Sequence, residues 1–165
     1  MKSKKIDKHD SLTDGFIPNP TRSVLPDKLI NAFMHKYEEE GIAFTMSMAD
    51  IKELLGLSRT CNESDKRVVE AIKILQQPIE IRNFMWKGRE VDWVSAPFLS
   101  RAVRWKDGKN IVDLRLDDAI VAGLKSKAGY TTLELDICNK FKSRTALKLY
   151  EMFIRYYSLP NSQGK

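Results

Sequence analysis

Cations, 28 Lys and Arg against 22 Asp and Glu, are the largest group of side chains in this sequence that can do chemistry. Arg59, Lys66, Arg67 and Lys73 recur along one stretch, Arg82, Lys87 and Arg89 surround a glycine, and Lys140, Arg144 and Lys148 stand four residues apart. Guanidinium and ammonium groups in such numbers neutralise phosphates and release their counterions. They position a protein on a polyanion without reading bases. Covalent and acid–base chemistry has much less to work with. The phosphate loop, the dinucleotide fingerprint, the zinc-protease helix and the nucleophile elbow are all missing. His9 and His35 lie far apart with no motif around either, so neither imidazole has a partner that would make it a ligand or a base. Asp117 and Asp118 are neighbours, and on a helix neighbours point apart, which suits capping better than metal binding. Cys61 and Cys138 form no CxxC, which argues against a disulfide framework and against a four-ligand zinc site. A non-enzymatic protein without cofactor or metal is expected.

These cations need a scaffold, and the composition allows one. The 165 residues match a single core, which commonly serves about 100–200 residues. Apolar residues make up 42% of the chain and charged ones 30%, enough for a buried interior. No apolar run has the length of a membrane span, and the lysines of the first ten residues precede no apolar stretch of the signal-peptide kind. A cytoplasmic protein is expected. The formal charge of +6 is unevenly placed: +2 over residues 1–26, −1 over 27–138 and +5 over 139–165. Whole-chain basicity is therefore weak ground for a nucleic-acid partner, because solvated ends alone would produce it. Local placement carries more, notably an excess of four positive charges over residues 82–109.

Residues 1–23 show no sustained period and read as a flexible arm; 158–165 read as a tail, leaving a domain over 24–157. Leu29, Ile30, Phe33, Met34 and Tyr37 recur at helical spacing after a candidate cap at Asp27. Ser47 to Asp50 has the spacing of a helix start and leads into a short second helix over about 48–56. A polar turn, then acidic residues at 63–65, introduce a third helix with Val68, Val69, Ile72 and Leu75 inward and Lys66, Arg67 and Lys73 outward. Two hairpins follow, 79–86 with 90–96 and 99–105 with 110–116, and Asp107-Gly108 is the stronger type I′ turn signal. A helix pair followed by hairpins is the order of a winged helix, an α+β fold. Arg82, Lys87 and Arg89 are assigned to the wing. Asp117 or Asp118 caps a short helix, Tyr130–Leu135 reads as a strand rejoining the sheet, and a closing helix runs over about 143–157 with Leu147, Tyr150, Phe153, Ile154 and Tyr157 inward. Trp86, Trp93 and Trp105 are read as core or interface before base stacking. Exposed strand edges pair readily, so a hairpin is the expected dimer contact, with Phe84, Trp86 and Trp93 supplying apolar area.

Taken in order, these segments resemble a known family. Met48 to Leu57, Lys66 to Leu75, Ile81-Arg82, Trp93-Val94-Ser95, Val112 to Leu116, Tyr130-Thr131, Leu135-Asp136-Ile137, Lys142-Ser143-Arg144 and Leu147-Lys148-Leu149-Tyr150-Glu151 together are similar to the N-terminal winged-helix domain of iteron-binding plasmid replication initiators. The resemblance implies two winged-helix domains in tandem, the first mediating dimerisation and backbone contact and the second reading the repeated origin sequence. It implies a bacterial protein whose partners are duplex DNA with origin repeats, a second copy of itself, and a host helicase or chaperone. It further implies that monomers initiate while dimers repress or couple origins. The chain ends at Lys165, so iteron-specific binding is expected to need the second domain. Two alternatives remain: a protein-interaction module of the replication machinery and a winged-helix transcription repressor.

Overall fold

The stripe of Leu29, Ile30 and Phe33 organises the molecule. In the computed structural model, which describes residues 5–9, 23–126 and 130–158, the stripe lies on helix α1 (Leu25–Glu40) and is fully buried. Pro26 stands in the first turn, where a missing N–H breaks no helical bond. Asp27 does not cap this helix as its position suggested: it lies within the first turn and is buried, and Ser23 Oγ accepts the Leu25 N–H at 3.2 Å. Gly41, at φ +92°, ends the helix with its N–H on the Tyr37 carbonyl at 2.9 Å.

The apolar stretch after Gly41 becomes strand β2 (Ala43–Ser47), with Phe44 and Met46 turned inward. Ser47 then caps α2 (Met48–Leu54), its hydroxyl accepting the Asp50 N–H at 3.0 Å, as the spacing foretold. Helix α3 (Asn62–Leu75) buries Val68, Ala71, Ile72 and Leu75 and packs on α1 and α2.

Two hairpins follow, β3 (Pro78–Trp86) with β4 (Arg89–Pro97) and β5 (Leu99–Arg104) with β6 (Ile111–Leu116). They do not share a sheet. Strand β6 pairs on its other side with β2, giving the order β2-β6-β5, while β3 and β4 form a separate pair. The tight turn belongs to the first hairpin, where Lys87 and Gly88 both take positive φ, +52° and +72°. At the second, where Asp107-Gly108 suggested that turn, the loop is longer: Asp107 Oδ1 accepts the Lys109 N–H at 3.0 Å, and positive φ falls on Gly108 and Asn110. Asp107 satisfies the backbone with its own side chain, which removes the need for a two-residue reversal.

Asp117 settles the second capping question, its Oδ1 accepting the Ala119 and Ile120 N–H groups at 2.9 and 3.0 Å at the start of α4 (Asp118–Ser126). Helix α4 packs on β3 at Gly123, where an added Cβ would stand 3.0 Å from Ile81 Cγ2. Strand β7 (Tyr130–Glu134) does not rejoin the sheet. It pairs antiparallel with β1 (Lys5–His9), so the segment read as an arm contributes a strand. Pairing uses backbone groups alone, which is why side-chain periodicity did not announce it. The rest of that segment, 1–4 and 10–22, and the tail beyond Ser158 lie outside the described residues.

Helices α5 (Leu135–Lys140) and α6 (Arg144–Ser158) close the chain, with Ser143 Oγ accepting the Ala146 N–H at 3.2 Å. They build a small second core of Val24, Cys138 and Leu147 beside Phe141, Tyr150 and Ile154. Phe153 and Tyr157, expected inward, are 72% and 91% exposed. Only a narrow stripe of α6 faces protein, and charge shares the seat with apolar contact. Asp27 pairs with Arg144 at 3.0 Å and Lys148 at 3.6 Å, while Asn31 Nδ2 donates to buried Glu151 at 3.2 Å.

Candidate nucleic-acid interface

The buried stripe of α3 fixes its rotation, and that rotation exposes Lys66 and Lys73 on the opposite side. Among the described residues neither lysine belongs to an ion pair. Arg67 is also exposed but lies on the flank toward α1, where it lines a cavity of about 140 Å³ with Ser23, Pro26 and Glu70. Burial lowers the pKa of Lys28 on α1, and the charge of Arg67 lowers it further.

A charged clamp holds the first turn of α3. Asp65 meets Lys52 Nζ of α2 at 2.7 Å and Arg104 Nη2 of β5 at 3.4 Å. Lys52 is buried and also donates to the Cys61 carbonyl at 3.3 Å. Burial by itself would raise the Asp65 carboxyl. The close ion pair with Lys52, with help from Asn110 and Arg104, holds it below the ordinary aspartate range. Because Arg104 leads into the β5–β6 loop, the same clamp sets that hairpin against α3.

Hairpin β5–β6 is therefore the wing. In a winged helix the strand that precedes the helix pair shares a sheet with both wing strands, and β2-β6-β5 is that sheet. Arg82, Lys87 and Arg89, assigned to the wing from sequence order, lie instead on the additional β3–β4 hairpin. Order along the chain offered the nearer hairpin, whereas pairing with β2 decides the matter. The wing residues thereby missed are Arg104, Trp105, Lys106 and Lys109. The charge excess over 82–109 and the Asp-Gly pair were their signals. Trp105 is 52% exposed, yet its Nε1–H donates to Asp113 Oδ2 at 2.7 Å, and Thr45 Oγ1 donates to Asp113 Oδ1 at 2.9 Å. The bonds from Trp105 and Thr45 hold the Asp113 carboxyl below its usual range.

The remaining expected site residues are dispersed. Arg59, in the α2–α3 turn, pairs with Glu53 and, at 3.7 Å, with Asp50, so carboxylates already match its charge. Arg82 is exposed and paired with Glu80. Lys87 Nζ stands 4.7 Å from the Trp86 ring centroid, and Arg89 is exposed beside it. Lys140, Arg144 and Lys148 do not share one helical face. Lys140 ends α5, Phe141 to Ser143 break the helix, and the other two turn to Asp27. A regular four-residue spacing makes a stripe only if one helix spans it, and here a buried carboxylate claimed two of its members. Of the expected dimer residues Phe84 is core and Trp86 is half-buried against it, because Asn83 at φ +55° switches the inward side of β3. Trp93 is 56% exposed, opposite Arg82 in the register.

A helix pair, a three-stranded sheet and a wing clamped to the second helix of that pair define a winged-helix domain. The sequence matches the family described as Initiator Replication protein, WH1, over residues 5–154, and the chain belongs to that family. Its fold is shared by the crystal structure of the Pi initiator protein in complex with iteron DNA, with a TM-score of 0.66 at 17% identity. That likeness covers 96% of this chain and 66% of the other, so this chain spans just under two thirds of that relative's length. None of the curated proteins compared with the chain matches it.

Proposed function

We propose that the chain is the DNA-binding and dimerisation domain of a plasmid replication initiator, acting at the origin in the bacterial cytoplasm. One observation carries the reading. Lys66 and Lys73 stand exposed on α3 with no ion-pair partner among the described residues, on a helix that a clamp ties to a wing bearing Lys106 and Lys109. These are cations on the two elements that a winged helix lays against a duplex, and the similar initiator was crystallised with iteron DNA. Contact is mainly with backbone phosphates, so affinity falls steeply with salt. Lys87 and Arg89 extend the cationic surface along β3–β4. The dimer contact lies on the outer side of that hairpin, where Trp93 and Met85 are exposed.

A salt-titrated binding assay with repeated and scrambled duplexes tests the proposal. Lys66→Ala and Lys73→Ala are each expected to reduce the log–log salt slope by about 0.9. Unchanged affinity when Lys66, Lys73, Lys106 and Lys109 are all replaced by Ala would refute it.

A second reading concerns α6. Leu149, Met152, Phe153 and Tyr157 form one exposed apolar face at helical spacing, the kind of patch that marks a protein interface. It suits a protein partner such as a host helicase or chaperone. Replacing Phe153 and Tyr157 with Asp should leave duplex affinity unchanged while abolishing capture of that partner.

A further inference from the structure

We infer that Trp105 is a nucleic-acid contact residue of the wing, its indole packing on the sugar–phosphate edge of the duplex, with Asp113 as its positioning residue. This rests on the reading of the chain as a DNA-binding domain and adds to it an apolar contact, where the phosphate-binding residues are all cations.

Large aromatics usually serve burial, yet Trp105 has half its surface in solvent at the base of the wing loop. Nor is it a loosely held side chain. Its one polar atom is bonded to Asp113, which Thr45 holds from β2, so the ring is fixed from two strands of the sheet. Its backbone N–H is bonded as well, to the Ile111 carbonyl at 3.1 Å. A half-exposed ring held this way keeps its position without a partner and loses little freedom when one arrives. The surroundings name the partner. Arg104, Lys106, Gly108 and Asn110 complete an open cavity of about 550 Å³ beside the ring, and Lys109 follows in the same loop. Such cations repel a basic protein surface, would lose hydration against an apolar one, and draw a polyanion, and an apolar ring set among them can pack on the sugars between the phosphates without reading sequence.

The test uses the full chain and a short blunt-ended duplex of mixed sequence. With Trp86 and Trp93 replaced by Phe, emission comes from Trp105 alone. Saturating duplex should quench and shift that emission, and Trp105→Ala should weaken binding about 5- to 10-fold, from lost burial of the half of the ring that is exposed, with the salt slope unchanged since no charge is removed. Trp105→Phe keeps a ring and should retain most of the affinity, which guards against a folding artefact. Asp113→Ala frees the ring and removes a negative charge, so it is compared with Asp113→Asn, which removes the same charge but keeps an acceptor for the indole N–H, and should bind more weakly than that variant. If the unsubstituted chain binds the duplex while Trp105 emission does not move and Trp105→Ala binds equally well, this inference is wrong and the DNA-binding reading stands. If the unsubstituted chain does not bind at all, both fall.

Discussion

Replacing Asp65 with Asn should destabilise the domain by about 3 kcal/mol, the low end of what breaking a buried ion pair costs. Lys52 is 4% exposed and has two polar neighbours, the Asp65 carboxylate at 2.7 Å and the Cys61 carbonyl at 3.3 Å. Without the carboxylate a buried ammonium is left with neutral acceptors alone, the Cys61 carbonyl and the introduced amide oxygen, and no compensating charge from position 65. The low end applies because Asp65 is 15% exposed and its other partner, Arg104, reaches water. For a chain of this size each kcal/mol lowers Tm by roughly 2–4 °C, so the loss should be about 6–12 °C. Thermal unfolding followed by circular dichroism at neutral pH measures it. Lys52→Met should cost less, since Asp65 keeps Arg104 and solvent. Adding Lys52→Met to Asp65→Asn should recover much of the loss, because the stranded charge is gone. The pH dependence has a definite sign. A carboxyl held below its unfolded value contributes stability that is complete above the ordinary aspartate range, near pH 4, and is lost as pH falls below it. Asp65→Asn should abolish that part of the acid sensitivity. A loss under about 1 kcal/mol, or a double variant no more stable than Asp65→Asn, would refute the reasoning.

Ser47→Ala removes the hydroxyl that accepts the Asp50 N–H and should cost about 1 kcal/mol, read as a drop in the denaturation midpoint at unchanged slope. Gly123→Val drives a side chain into Ile81 and should cost about 2–3 kcal/mol, seen as faster hydrogen exchange in β3 and β4 before the rest of the molecule. Trp93→Glu should leave thermal stability within about 0.5 kcal/mol, and, under the proposed hairpin dimer, should shift sedimentation at high concentration from dimer to monomer. Phe84→Glu should instead unfold the hairpin, because Phe84 is core.

Much of the winged helix is legible in the sequence. The stripe of α1, the Ser47 cap, the rotation of α3 and both hairpins follow from spacing and turn chemistry. The candidate site was only half legible. Lys66 and Lys73 face outward as the periodicity of α3 required, because Val68, Ala71, Ile72 and Leu75 take the other side. The cations of β3–β4 were given the wing's role because chain order does not say which strand β2 pairs with. Arg144 and Lys148 looked like phosphate ligands because nothing near them in sequence reveals Asp27.

What the sequence determined alone is what acts over a few residues: caps, turns, helical and strand periods, and the signs of the charges. Tertiary structure decided which hairpin is the wing, which cations stay free and which tryptophan stands exposed there. Those outcomes depend on partners far apart in the chain, as with Thr45 and Asp113 at 68 positions or Asn31 and Glu151 at 120. Buried polar groups and strand edges must be satisfied by whatever the fold brings to them, so a cation's role follows from its nearest carboxylate in space, and that neighbour exists only once the chain has closed.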